Sequence, residues 1–179
     1  MLTYNGIAFI YCLCGTKVFG TLKSADGTAA SQASFTAPNA GNIFGVAPQL
    51  QYGYSYYTSA GSFISIGTDS TPPTANDYRL GSRITSGIEA TSITTETTLL
   101  SDKTIKTTWS FGVRNTGSAP LTIAEIGLFA GIASTYDSST KYLLDRTVFD
   151  TPTTIPAGDS ATIVYSITRD GSEAFAPSA

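Results

Sequence analysis

Two neighbouring stretches set the reading of this chain: Thr107-Thr108-Trp109-Ser110-Phe111-Gly112-Val113-Arg114 and Leu121-Thr122-Ile123-Ala124-Glu125-Ile126-Gly127-Leu128-Phe129, separated by the turn Asn115-Thr116-Gly117-Ser118. Trp109, Phe111 and Val113 alternate with Thr108, Ser110 and Arg114, the period of a strand with one buried face. Ala161-Thr162-Ile163-Val164-Tyr165-Ser166-Ile167 repeats the pattern, with Ile163, Tyr165 and Ile167 on the apolar side. A strand cannot bury such a face alone, so the pattern predicts two packed sheets. The Asn115–Ser118 turn is expected to send the chain back as the second strand.

That second strand changes phase. Leu121 and Ile123 are odd, whereas Ile126 and Leu128 are even. Either a bulge near Ala124-Glu125 shifts the register, or both faces are covered there. A buried Glu125 needs a partner, for which Arg146 is the candidate; the other reading turns Glu125 outward beside the bulge.

Outward from this centre, Phe63–Gly67 reads as a short strand. The following Thr68-Asp69-Ser70-Thr71-Pro72-Pro73-Thr74-Ala75-Asn76-Asp77-Tyr78 holds two prolines that bar it from a central strand. Asp69 and Asp77 lack the dense oxygen spacing of a calcium loop and read as turn residues. Thr91–Leu100 alternates Ile93, Thr95, Thr97 and Leu99, and Ser101-Asp102-Lys103-Thr104 turns it into a hairpin. Tyr142–Phe149 gives a further strand. Pro152 and Pro156 bracket a bend, and Ala157-Gly158-Asp159 leads into the last strand. Ser134–Thr140 is a polar loop.

The first third of the chain is less regular. Gly6–Cys14 is a run of β-formers, too short to cross a bilayer and lacking the preceding basic residues of a signal peptide, so no membrane partner is expected. Ser24–Asn42 reads as a polar arm. Gln49–Tyr57 places Leu50, Tyr52, Tyr54 and Tyr56 on one face. Together with Tyr57 this stripe is a candidate interaction surface, as sheet packing, subunit contact or host-glycan platform. The resulting expectation is an all-β, antiparallel β-sandwich, immunoglobulin-like or jelly-roll-like, with an N-terminal β extension. Residues 1–62 carry that extension, the arm and the Tyr-rich strand, residues 63–169 the sandwich, and residues 170–179 a flexible tail.

Composition narrows the function. Of 179 residues 41% are hydrophobic, enough for a real core, while only 13% are charged, about half the usual quarter. A net charge of -3 with 10 scattered basic residues argues against nucleic acid as a partner. With 0 His and 2 Cys, the chain lacks the usual base for a nucleophilic Ser and the ligands for a zinc site. Cys12 and Cys14 would lie about 7 Å apart on one strand face, poor geometry for a bridge, and their reduced state fits cytoplasmic assembly. No Walker loop or Gly-x-Ser-x-Gly is present. No enzyme activity, metal or cofactor is expected.

Ser65–Leu80, Asn115-Thr116-Gly117-Ser118, Ile123–Phe129, Leu143-Leu144-Asp145-Arg146-Thr147-Val148 and Ile155-Pro156-Ala157-Gly158-Asp159-Ser160 together resemble the small β-sandwich virion proteins of tailed bacteriophages. The resemblance covers roughly Ser65 to Thr168 and rests on turn and strand patterns. It implies a structural subunit of head-decoration, collar or tail-accessory type, homo-oligomeric, partnered by other virion proteins, assembled in the host cytoplasm and located in the virion. The alternative from the Tyr stripe is a carbohydrate-binding or adhesion module.

Overall fold

A computed structural model describes residues 3–6, 23–29, 49–50, 62–101, 104–131 and 141–170. Cys12, Cys14, most of the 24–42 arm, the 134–140 loop and the tail from residue 171 lie outside the described residues. The strands are β1 (Gln49–Leu50), β2 (Ser62–Gly67), β3 (Ile88–Leu99), β4 (Thr104–Asn115), β5 (Leu121–Gly131), β6 (Lys141–Ile155) and β7 (Ser160–Asp170). They form two sheets, ordered β1-β2-β5-β6 and β3-β4-β7, antiparallel throughout except for the short parallel pair β1–β2. The protein is all-β, and its two sheets share one core.

That core follows the alternation read from the sequence. Trp109, Phe111 and Val113 from β4 and Ile163 and Tyr165 from β7 meet Ile64, Ile66, Ile123, Ile126, Leu128, Leu144 and Ile155 from the other sheet. Trp109 and Tyr165 sit opposite each other in register and stack at 5.7 Å. The Tyr165 hydroxyl crosses to the facing sheet and donates to Asp145 Oδ1 at 2.6 Å. Burial first, and the Asp145 charge second, push the phenol well above its ordinary value. It stays neutral and remains a donor.

One expectation needs correcting. The turn after Asn115 does not fold β5 back beside β4. The chain instead crosses to the other sheet, so β4 pairs with β3 and β7, and β5 pairs with β2 and β6. The cause is that Asn115 is buried and fully engaged. Its amide donates to the carbonyls of Ala119 (2.8 Å) and Ile155 (3.0 Å), and its Oδ1 accepts from the Gly117 amide. Its main chain bonds Asp159 and Gly158. Turn residues that read as a hairpin therefore form a corner tying β4, β6 and the turn before β7. Each sheet's outward crossing encloses the other's hairpin, β3–β4 between β2 and β5, and β5–β6 between β4 and β7.

The phase change in β5 has both of the causes considered. Register shifts between Ile123 and Glu125, and Ala124 through Phe129 are all buried. The excess lies on β6, where Thr153 faces Ile123 but Val148 faces Glu125, so four intervening residues on β6 stand against Ala124 alone on β5. A second shift leaves Leu144 without an opposite residue. There the carbonyls of Leu143 and Leu144 accept hydrogen bonds from Thr3, at 2.6 and 3.1 Å from its hydroxyl. On the outer face of this sheet, Leu80, Phe129 and Leu143 make a second apolar cluster with Ala25 against it.

Replacing Asn115 by Ala strips partners from the buried Ile155 carbonyl, the part-buried Ala119 carbonyl and the Gly117 amide. The expected loss is about 2–4 kcal/mol of stability, read as a lower urea midpoint with an unchanged slope.

Candidate functional site

The polar chemistry among the described residues converges on Arg146. It lies on the outer face of the four-stranded sheet, opposite Gly127 in register, with its side chain 4% exposed. Its Nε donates to Glu125 Oε2 at 2.8 Å, one terminal nitrogen to Asp77 Oδ2 at 2.8 Å and the other to Asp69 Oδ2 at 2.9 Å. Glu125 is fully buried and also accepts the main-chain amides of Gly81 (3.1 Å) and Ser82 (2.8 Å). A planar guanidinium with fixed donors suits this convergence of acceptors better than a lysine would.

The carboxylates come from three places in the chain. Glu125 is carried by β5, diagonal to Arg146 across the β5–β6 ladder. Asp69 and Asp77 belong to the loop that leaves β2 and returns to it, closed by the Thr68 amide on the Ser82 carbonyl and the Ile84 amide on the Ile66 carbonyl. Each aspartate also builds a turn: Asp69 Oδ1 accepts from the amide and hydroxyl of Thr71, and Asp77 accepts from those of Thr74. Glycine is required where the loop approaches most closely. A methyl group on Gly67 would collide with the Glu125 carboxylate and the Ser82 carbonyl, and one on Gly81 with the Asp69 carboxylate.

The electrostatics follow from these contacts. Thr71 holds the Asp69 carboxyl below its ordinary value, with Arg146 helping. Burial opposes ionisation of Asp77, yet the Thr74 amide and Arg146 outweigh it and keep that value low as well. Burial alone would weaken the Arg146 proton, but hydrogen bonds to Asp77 and Glu125 and their charges raise its pKa. Asp69, Asp77 and Arg146 are thus held in their charged forms at neutral pH, with the guanidinium occupying the place a cation would take. No group of three or more His, Cys, Asp or Glu among the described residues is arranged to hold a metal ion. The arrangement fastens a loop; it offers no free base or nucleophile.

Beside this latch is a small open cleft lined by Tyr4, Asn5, Lys23, Ala75, Asn76, Asp77 and Tyr78. Asn5 is spent on Lys23, donating to its carbonyl and accepting from its amide. Tyr4 anchors through its amide on the Ala75 carbonyl and leaves its side chain 55% exposed. The cations of Lys23 and Arg79 lie 5.8 and 5.4 Å from the Tyr78 ring centre. The stripe Tyr52, Tyr54, Tyr56 and Tyr57 lies outside the described residues.

Sequence reading named Glu125 and Arg146 as possible partners and gave Asp69 and Asp77 turn roles. It missed that both aspartates also reach Arg146. The available signal was two turn-building aspartates in one loop together with an arginine set in an apolar strand. Comparison with known proteins returned no matching family model, no matching curated protein and no matching solved structure.

Replacing Arg146 with Met leaves Glu125 buried without its counter-charge and should cost about 3–5 kcal/mol. A pH series isolates the aspartates. Both carboxyls titrate below the ordinary 3.8, so near that pH the unfolded chain binds more protons than the folded one. Their contribution is complete above pH 3.8 and is lost as pH falls through the folded values. The urea midpoint should therefore drop steeply on that acid limb in the wild type and more gently in the Asp69→Asn/Asp77→Asn double variant. Equal slopes would assign the acid limb to other carboxylates.

Proposed function

We propose that the chain is a non-catalytic structural subunit of a tailed-bacteriophage virion, of head-decoration, collar or tail-accessory kind. It is present in many copies and contacts other virion proteins through its sheet surfaces and polar segments. The observation that supports this reading is how the described polar residues are spent. The charged cluster and the buried asparagine fasten loops, while the three-stranded sheet turns a wide, charge-poor face outward. Three of its rows are Thr94/Ser110/Val164, Glu96/Thr108/Ser166 and Thr98/Lys106/Thr168, and Glu89/Arg114/Ser160 at one end carries one charge of each sign. Thr108 and Ser166 hydroxyls bridge at 2.9 Å, and Val164 at the centre is 62% exposed. Such a surface is suited to contact with another protein. The interleaved strand order supports placing the module among Greek-key sandwiches, the group that holds immunoglobulin-like and jelly-roll domains.

The alternative is a carbohydrate-binding or adhesion module. The cleft between Tyr4 and Tyr78 favours it, because an aromatic wall beside amide and charged groups suits a sugar ring. Its volume of about 130 Å³ is of monosaccharide order.

Cryo-electron microscopy of gradient-purified particles, with peptide mass spectrometry, tests the first reading. Density for the two-sheet module at a repeated position is expected. Its absence from intact particles would overturn the virion assignment. Binding of the full chain on a glycan array, lost in Tyr4→Ala or Tyr54→Ala, would then establish the second reading.

A further inference from the structure

Strand β3 carries the longest unbroken exposed run among the described strands. Thr94 through Leu100 are exposed without a break, so side chains on both faces meet solvent. Its inner-face positions continue the rows of the core, Thr95 beside Trp109 and Thr97 beside Thr107. Yet Trp109 and Thr107 are buried, while β3 at the margin is not. The hairpin ends in exposed Leu99 (66%), Leu100 (56%) and Ile105 (43%). Among the described residues β3 has one neighbour, β4, and its other edge is open.

The register says which peptide groups face that edge. The Leu100 amide bonds the Thr104 carbonyl, and Leu99 lies opposite Ile105. At the far end Thr116 bonds Gly87 on the β3 side, whereas Asn115 bonds Asp159 on the β7 side. Even-numbered residues of β4 thus bond toward β3. By antiparallel alternation, Thr94, Glu96 and Thr98 are bonded to β4. Ile93, Thr95, Thr97 and Leu99 present their amides and carbonyls outward. Natural edges of this length are blunted with prolines, lysines or repeated charges. From Ser92 to Leu99 the only charge is Glu96.

We propose that β3 is the self-association strand of this protein, pairing antiparallel with β3 of a second copy about a two-fold axis near Thr95. The two three-stranded sheets then become one continuous sheet, β7-β4-β3-β3-β4-β7. Three features of the strand select a second copy as the occupant. The segment is self-complementary, since threonine opposite threonine is a favourable cross-strand pair. With Thr95 on the axis, Thr97 meets Ile93 of the second copy, and outward-facing groups meet each other, giving about six main-chain hydrogen bonds. The same register sets each Glu96 opposite Thr94 of the second copy, whereas sliding by one residue in each chain would bring the two carboxylates face to face. Among the described residues the other long edge strands are β6 and β7. The β6 edge is interrupted by Pro152 and by two register shifts. The β7 edge is also a weaker candidate. Its inner face is already covered at Ile163 and Tyr165, and joining it to β3 of another copy by translation would pair the strands in parallel. The inference deepens the multi-copy reading above and rests on it.

Proline separates this edge from the fold. In Thr97→Pro the lost amide faces outward, so the ladder to β4 is retained; in Thr98→Pro the lost amide belongs to that ladder. Sedimentation equilibrium of the full chain should show a dimer for the wild type. Thr97→Pro should weaken dimerisation by about tenfold or more, with circular dichroism and Trp109 fluorescence unchanged. Thr95→Cys, in a Cys12→Ser/Cys14→Ser background, should form a disulfide-linked dimer on mild oxidation, because residues on the axis bring their Cα atoms to about 5.5 Å. A wild type that stays monomeric at high concentration, or a dimer indifferent to Thr97→Pro and not cross-linked through Thr95→Cys, overturns the proposal. A dimer that depends on β3 but is missing from particles would leave the proposal standing and remove the virion reading. A monomer found at a repeated particle position would do the reverse.

Discussion

One guanidinium holds the outer layer of this protein in place. Arg146 reaches Glu125 on its own sheet and Asp69 and Asp77 on the overlying loop, so a single side chain joins strand, neighbouring strand and loop. Its enclosure is possible because the charges are matched by geometry. Every nitrogen of the guanidinium has a carboxylate partner, and Glu125 takes two further main-chain amides. Removing Arg146 would strand Glu125 in a dry place, where uncompensated charge is expensive, while the part-exposed aspartates would turn to water. The loop fastened in this way carries Leu80 onto Phe129 and Leu143, and this second apolar layer is the reason β5 is buried on both faces.

The two sheets consequently have different duties. Around Ala124–Phe129 and Tyr142–Arg146 the four-stranded sheet is covered on both sides, by the core within and by the loop, the Thr3–Gly6 turn and the Lys23–Ala29 turn without. The three-stranded sheet is covered only within. Its outer face is hydroxyl-rich, among the described residues β3 and β7 each have one neighbour, and the β3–β4 hairpin ends in exposed Leu99, Leu100 and Ile105. Hydroxyls hydrate well enough to keep a free subunit dispersed, yet lose less on burial than full charges do. That balance suits the proposed role in contact with other proteins.

Several parts of this architecture were legible in the residues. Trp109, Phe111 and Val113, and Ile163 and Tyr165, announce inward faces because strand alternation is a local property. The odd-to-even change across Ile123–Ile126 announced the register shift for the same reason. Glu125 amid apolar neighbours raised the question of a partner, and Arg146 was its nearest answer. The Asn115–Gly117 turn was misread. A turn sequence fixes local dihedral angles, while the choice between hairpin and crossing depends on the buried bonds Asn115 makes with Ala119 and Ile155.

By itself, then, the amino-acid sequence determined an all-β chain, the spacing of its inward faces, the places where turns fall and the scarcity of charge on its surface. These depend on neighbours one to four residues apart. Only the tertiary structure decided which strands share a sheet, that Asp69 and Asp77 converge with Glu125 on Arg146, and that β3 ends the three-stranded sheet among the described residues. Those outcomes join residues as far as 77 positions apart, and they follow from which surfaces can be buried together rather than from any local preference.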